Sequence, residues 1–367
     1  MIVQSLSYKD YRNLKDARIE PSDRVNVIHG KNAQGKTNLL ESIWIFTGGK
    51  SFRTTKDSDL IKFSKAETNV EMHIKNNIRE MGLKIQIEQG KRTVLINEIK
   101  QSVPSKLVGN FCAVVFSPTH LSLIKDGPAL RRKFLDTAIC QIKPTYSANL
   151  LKYNHVLAQR NSLLKRIKMS SKEDKTLDIW DESLAEYASR IISQRLSYTE
   201  KLKNIADKIY RELAQEKEKL TLSYKAVGVN KELSDLSNIK SELIKKLEET
   251  RKEDVALGFT NHGPHKDELE IKIDKKSARF YASQGQQRSA VLAMKLAEAS
   301  IVDKTIDEKP VILLDDVMSE LDRQRQDYIL NSITNWQVFI TCCEDNISGR
   351  LNTGKTFRIE DGNIYEE

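Results

Sequence analysis

The chain has 367 residues, 39% of them hydrophobic and 30% charged, which is enough for about two domains with a real core. No apolar run approaches the roughly 20 residues of a membrane-spanning helix, and the opening MIVQSLSYKDYRNL alternates like a strand instead of forming a secretory leader. A cytoplasmic protein with no membrane partner is therefore expected, and its formal charge of +9 suits a polyanionic partner, nucleic acid first, as well as it suits a merely lysine-rich solvated surface.

In chain order, residues 1–14 read as a strand and turn, 24–29 as a buried strand, and 36–46 as a helix opening under a glycine-rich loop. Met81, Leu83, Ile85 and Ile87 fall on alternate positions, the period of a half-buried strand. Gly90-Lys91-Arg92 signals a turn and residues 93–96 the next strand, so an antiparallel sheet is expected beside the sheet that carries the glycine-rich loop. Residues 111–116 form another buried strand, stopped by Ser117-Pro118. Cys112 lies in that run, and none of Cys112, Cys140, Cys342 and Cys343 forms a CxxC pair or has histidine at zinc spacing. Buried, reduced thiols are expected.

The character then changes. Leu177, Trp180, Leu184, Tyr187 and Ile191 make a helical stripe. Residues 150–166 and 196–214 are helical too, with lysine-rich turns between the segments, and 241–252 make a last helix. No heptad persists long enough for an extended coiled coil, so the insert is a compact helical lobe. The chain returns through GFTNHGPHKDE, YASQGQQRSAVLAMKLAEASIVD, PVILLDDVMSELD and WQVFITCC, read as loop, helix, strand and strand. The expected class is α/β. Residues 1–116 and 256–367 form a split nucleotide-binding head, and 117–255 the inserted lobe.

Three motifs carry chemistry. GKNAQGKTN fits G-x-x-x-x-G-K-[ST] between a strand and a helix. Amides at a helix N-terminus bind phosphate. Gly30 and Gly35 allow the turn, Lys36 meets the outer phosphates, and Thr37 offers a hydroxyl to magnesium. Lys31, Asn32, Ala33, Gln34 and Asn38 complete the ATP-binding set. The bland alternative is a glycine turn with an exposed lysine. In VILLDD, Asp315 emerges at a strand's C-terminal end to join Thr37 on Mg2+, and Asp316 orients or deprotonates the attacking water. The alternative is two acids in a turn. In YASQGQQR, Ser283, Gly285 and Gln286 make a second anion-binding helix start. Its natural use is on a neighbour's γ-phosphate, with ATP as glue between subunits, against the alternative of a polar helix cap. The catalytic candidates are Lys36, Asp316 and Ser283.

These residues resemble a family. ASQGQ is similar to the LSGGQ signature of ABC-type ATPases, LLDDVMSELD to their Walker B and D-loop, and SLSYKDYRNL to the opening of the SMC-like branch. With a short helical insert in place of a long coiled coil, the whole chain resembles the RecF family of bacterial recombination mediators. GKSFRTTKDSDLI, FSPTHLSLIKDGPALRRKFLD and GPHKDE are similar to further blocks of that family. Phe52 stands where histidine is usual, Thr119-His120 where Glu-Asp is usual, and Lys266 where arginine is usual. Thr341-Cys342-Cys343 occupy the place of a switch histidine. These departures bear on hydrolysis, with any γ-phosphate contact there left to Thr341.

The resemblance implies an ABC-type ATPase head and an ATP-dependent homodimer that clamps double-stranded DNA or single/double-strand junctions. It also implies slow, DNA-dependent hydrolysis that releases the DNA, and work with RecR and RecO in loading RecA during recombinational repair and fork maintenance. Arg12 is then expected near the nucleotide. Lys50, Arg53 and Lys56 in one loop and Arg131, Arg132 and Lys133 in another are candidate DNA contacts. Each is set against a solvated charge, and for Arg131 and Arg132 against an internal role pairing Asp136 or the phosphate site. A P-loop kinase would leave ASQGQ idle, a transporter ATPase would need a full Q-loop, and a nucleotide-locked scaffold would bind without turning over.

Overall fold

Alternating burial builds the first sheet. In a computed structural model that describes residues 1–54, 56–170, 176–229, 235–343 and 354–367, Met81, Leu83, Ile85 and Ile87 all point inward from the strand Glu80–Glu88. That strand sits in a six-stranded sheet of order Ala17–Ile19, Ile2–Lys9, Glu67–Lys75, Glu80–Glu88, Lys91–Ile96, Ile99–Lys100, antiparallel throughout. The turn before Lys91 is Gln89-Gly90, with φ of 49° and 76°, one residue earlier than the sequence suggests. Two positive φ values suit a tight hairpin between right-twisted strands.

A second six-stranded sheet has the order Asn363–Glu366, Gly354–Glu360, Val25–His29, Val338–Cys342, Val311–Asp315, Ala113–Phe116. All its pairs are parallel except the terminal hairpin. Every residue of Val311–Asp315 is buried, as its unbroken apolar run requires of a central parallel strand. The helix Lys36–Trp44 contributes Leu39, Leu40, Ile43 and Trp44 to one core with Val70, Ile85, Leu313 and Phe357 from the two sheets.

These elements belong to one of two units, Met1–Leu121 with Val291–Glu367. The other unit is Ser122–Ala290. Residues 256–290, assigned to the head from sequence, fall in this second unit because Glu268–Ile273 pairs antiparallel with Leu220–Lys225 and with Lys276–Ser277. These strands are not among the expected elements, although Leu220, Leu222 and Tyr224 alternate inward. The helices read as separate at 177–191 and 196–214 are a single helix, Leu177–Leu213, of 37 residues. It contains no glycine or proline, and its buried stripe runs on through Tyr198, Leu202, Ala206 and Tyr210. Pro144–Ser170, Leu236–Glu249 and Arg251–Leu257 are the other main helices of this unit with Pro128–Ile142.

Buried ions tie the second unit together. Arg160 is fully buried and donates to Asp181 at 2.5 Å, to Asp254 at 2.7 Å and to Thr260 Oγ1 at 2.8 Å. Arg160→Ala would leave Asp254 buried without its cation, so a loss of about 3–5 kcal/mol is expected. Urea unfolding read by Trp180, the one tryptophan of this unit, checks it; a shift within ordinary surface-substitution range would show that Arg160 is dispensable.

Candidate nucleotide-binding site

The glycine-rich loop is shaped by what crowds it. Gly30 has φ 146°, and a Cβ there would lie 2.3 Å from the Ile359 carbonyl oxygen. Gly35 has φ 123°, and its Cβ would lie 2.5 Å from Leu14 Cδ2. Both positions therefore demand glycine for backbone conformation and for space. Gly35 also caps the helix Lys36–Trp44, whose N-terminus has no side-chain cap. Its first amides are left for an anion.

Lys36 is 7% exposed, and its ammonium lies inside the loop, donating to the carbonyls of Gly30 at 2.5 Å and Lys31 at 3.0 Å. Lys31, Asn32 and Ala33 are exposed at the loop's apex, where Ala33 has φ 66°. Gln34 Oε1 accepts from the Asp361 amide of the C-terminal hairpin turn, which holds one side of the loop. Asn13 holds the other. Its Nδ2 donates to Ala33 O at 3.0 Å and its Oδ1 accepts from Asn38 at 2.6 Å. Asn13 was missed from sequence, although it directly follows the candidate Arg12.

Arg12 itself is committed elsewhere. Its guanidinium meets both oxygens of the fully buried Glu41, at 2.5 and 2.8 Å, and the Asp59 carbonyl at 3.0 Å. It anchors the turn to the loop's helix, with Tyr11 and Ser51 on the same carboxylate. Arg53, proposed for DNA, donates to Asn38 Oδ1 at 2.6 Å, and its charge lowers the pKa of Asp315. Arg53 therefore borders the nucleotide loop.

The strand Val311–Asp315 delivers Asp315 beside Thr37. Thr37 Oγ1 donates to Asp315 Oδ1 at 2.7 Å, and Thr341 Oγ1 to the same oxygen at 3.1 Å. Thr341 Oγ1 accepts from the Asp316 amide at 2.9 Å, so one hydroxyl from the neighbouring strand orders both acids. Burial pushes the Asp315 carboxyl up; the two hydroxyls and Arg53 pull it back, and Asp316 opposes them. A buried carboxylate next to a hydroxyl, both hard oxygen donors, fits a magnesium ion, which takes one or two protein oxygens and otherwise water and phosphate. Asp316 has φ 52°, a left-handed position, and Ser319 Oγ donates to its backbone oxygen at 2.9 Å and to its carboxylate at 3.2 Å.

In the place of a switch histidine a γ-phosphate contact falls to Thr341 or is lost, and the Thr341 hydroxyl is engaged with the two acids. Cys342 is buried. Cys343, expected buried, is exposed, and its thiol donates to Asn32 Oδ1 at 3.1 Å. At the other departure, His120 Nδ1 accepts from the Ser117 amide at 3.0 Å.

In the second unit, Ser283 is exposed and starts the helix Gln284–Ile306. It is a helix cap in fact. Its N–H donates to Gln286 Oε1 at 2.7 Å, and its Oγ accepts from the Gln286 N–H at 3.2 Å. A reciprocal cap of this kind presents the exposed serine and Gly285 in one defined conformation.

Arg131 is not a free DNA contact. It is 6% exposed, pairs with both oxygens of Glu268 at 2.7 and 2.8 Å, and donates to the carbonyls of Leu123 and Asp126. Arg132 reaches the Asp267 carbonyl at 2.8 Å, and Asp136, named as their internal partner, is held by Arg195. Lys50, Arg53, Lys56 and Lys133 are exposed. The GPHKDE motif is internal support: Arg195 donates to Pro264 O at 2.7 Å, His265 meets Tyr153 at 2.6 Å, and Asp267 accepts from Tyr224. Burial holds the His265 pKa down at about 4 and Asp267 up at about 6. Lys266 lies over the Phe259 ring, 5.1 Å from its centre.

Among the described residues, no helix is long and apolar enough to cross a membrane. A family model described as RecF/RecN/SMC N terminal domain matches residues 2–362. A protein of Ruminiclostridium cellulolyticum described as DNA replication and repair protein RecF is 41% identical over 369 residues, covering 100% of this chain and 99% of its own length. The solved structure of the recombination mediator protein RecF-ATP in the RecFOR pathway matches with a TM-score of 0.94 at 38% identity, over 100% of this chain and 97% of that one. An Smc head bound to the C-winged helix domain of ScpA matches with a TM-score of 0.58 at 17% identity, over 100% of this chain and 97% of that one. The last likeness concerns the fold alone, that of an ABC-type ATPase head.

Proposed function

The chain belongs to the RecF family of SMC-like ABC-type ATPases, and from that premise we propose that it is an ATP-dependent DNA clamp of recombinational repair and replication-fork maintenance. Two copies close around two ATP molecules, hold DNA while closed, and let go after slow, DNA-dependent hydrolysis. The observation that carries this reading is the alignment of an uncapped helix start, Lys36, Thr37 and Asp315 at one loop. ATP binding is further supported by the ATP complex of a relative at 38% identity.

The loop amides and Lys36 take the phosphates. Thr37 and Asp315 would hold Mg2+, which when bound offsets phosphate charge during transfer. Asp316 orients the attacking water and accepts its proton. From the partner copy, Ser283 and the amides at Gly285 meet the γ-phosphate. ATP held by both copies favours the dimer, because it binds that state better.

Lys50, Lys56 and Lys133 are exposed cations suited to a DNA backbone, and their contribution falls with salt. Functionally, a head made of 1–116 and 256–367 hydrolyses ATP, and the insert 117–255 completes the DNA groove. The partners of this reading are RecR and RecO, with RecA as the protein loaded; the RecF-ATP relative is described as a mediator of the RecFOR pathway. A locked scaffold with negligible turnover is the second reading. It is favoured by one observation, that Thr341 is engaged with Asp315 and Asp316 where a switch histidine would stand.

The test is light-scattering mass and phosphate release with no nucleotide, with ADP, and with ATP plus magnesium. A mass that doubles only with ATP, with phosphate released on DNA, supports the clamp. An unmoved mass overturns it, and doubling without phosphate selects the scaffold. Asp316→Asn should bind ATP normally and lengthen DNA retention about a hundredfold, the usual scale of lost general-base assistance. Release as fast as the parent's in a DNA-chase experiment would remove Asp316 from that role.

A further inference from the structure

Ser283 is aimed by Gln286, and Gln286 is in turn held from outside the motif. The Gln286 side-chain oxygen faces the Ser283 amide at 2.7 Å, so its nitrogen must point away. That nitrogen, Nε2, donates to Glu218 Oε1 at 2.8 Å. The other oxygen of Glu218 accepts from the Tyr210 hydroxyl at 2.6 Å. Tyr210 is fully buried in the last turn of the 37-residue helix Leu177–Leu213. Between the two residues the backbone turns sharply, with Gln215 at φ 54° and Glu216 at φ 59°.

We propose that Glu218 is a positioning residue for the signature serine, linking the end of the long lobe helix to the helix start that meets the partner's ATP. The inference rests on the ATP-sandwich reading above. Its chemistry is directional. A carboxylate accepts from both neighbours at once, and a bond to a charged acceptor is stronger than a neutral one. With the carboxylate present, the Gln286 amide has one satisfied orientation, and that orientation closes the Ser283 cap. Without it the amide can rotate, the cap loosens, and Ser283 loses its fixed direction.

Two variants test this in the full-length chain. Glu218→Ala removes both bonds. Glu218→Gln keeps them, since its carbonyl accepts from Gln286 and its amide donates to the Tyr210 oxygen. Three quantities are measured: backbone hydrogen exchange over 283–287 without nucleotide, affinity for a fluorescent ATP analogue, and the dimer dissociation constant with ATP plus magnesium. For Glu218→Ala, exchange over 283–287 should rise about tenfold, the scale of one lost charge-assisted bond, and the dimer constant should rise about as much. Its analogue affinity should stay within about twofold of the parent's, because the ATP loop lies in the other unit. Glu218→Gln, which keeps both bonds but not the charge, should lie closer to the parent than to Glu218→Ala in all three.

Unchanged exchange over 283–287 in Glu218→Ala overturns the proposal. So does a Glu218→Gln variant that loses dimers as Glu218→Ala does, or a loss of analogue affinity equal to the loss of dimer. Should the parent itself not dimerise with ATP, the sandwich reading falls and the exchange result alone decides the role of Glu218.

Discussion

Lys36→Arg should bind ATP weakly and hydrolyse it at least about a hundredfold more slowly than the parent, the scale on which small misplacements in a reacting geometry act. The ammonium sits against two loop carbonyls, at 2.5 Å from Gly30 O and 3.0 Å from Lys31 O, and the residue is nearly buried. A guanidinium is planar and larger and presents its donors as a fork, so it cannot occupy a place built for a compact point charge. The loop has little room to adapt. Gly30 abuts Ile359, Gly35 abuts Leu14, and Asn13 and the Asp361 amide hold the apex from two sides. The damage is expected in catalysis more than in folding, so thermal unfolding should stay near the parent's while phosphate release collapses. Normal turnover in Lys36→Arg would remove Lys36 from the phosphate site.

Ser283→Arg should leave nucleotide binding near the parent's and abolish ATP-driven dimers. Ser283 is exposed, and its N–H and hydroxyl close the cap with Gln286. Losing that cap costs about 1 kcal/mol of local helix stability, which the unit tolerates. In the proposed sandwich an arginine would stand where the partner's γ-phosphate approaches, too long to let the Gly285 amide reach it. Mass measured by light scattering with ATP plus magnesium decides it. If Ser283→Arg still dimerises with ATP, ASQGQ is a helix cap and nothing more.

Motifs whose chemistry lies within a few residues were legible in the sequence. The loop Gly30–Asn38, the buried strand ending in Asp315-Asp316 and the helix start at Ser283 all rest on local spacing. The alternation of Met81 to Ile87 likewise reports a sheet face directly. Elements without such contrast were blurred. The helix Leu177–Leu213 reads as two segments parted at 192–195, although no glycine or proline breaks it there, and Leu220–Lys225 is a short alternation of six residues beside long helical neighbours.

The residues themselves thus determined the class of the protein, its glycine-rich loop, its paired acids and the helix start at Ser283. Tertiary structure alone decided which charges are free. Arg131 and Arg132 stood open between a DNA contact and an internal role, and partners more than 130 positions away in the chain engage both within the second unit. Arg12 goes to Glu41, Arg53 goes to Asn38 beside the loop, and Thr341 orders Asp315 and Asp316 from a neighbouring strand. The physical reason is the same each time. Local sequence sets whether a residue is charged and which face of its element it occupies. Its partner is set by which distant backbone the fold brings within about 3 Å, the reach of a hydrogen bond.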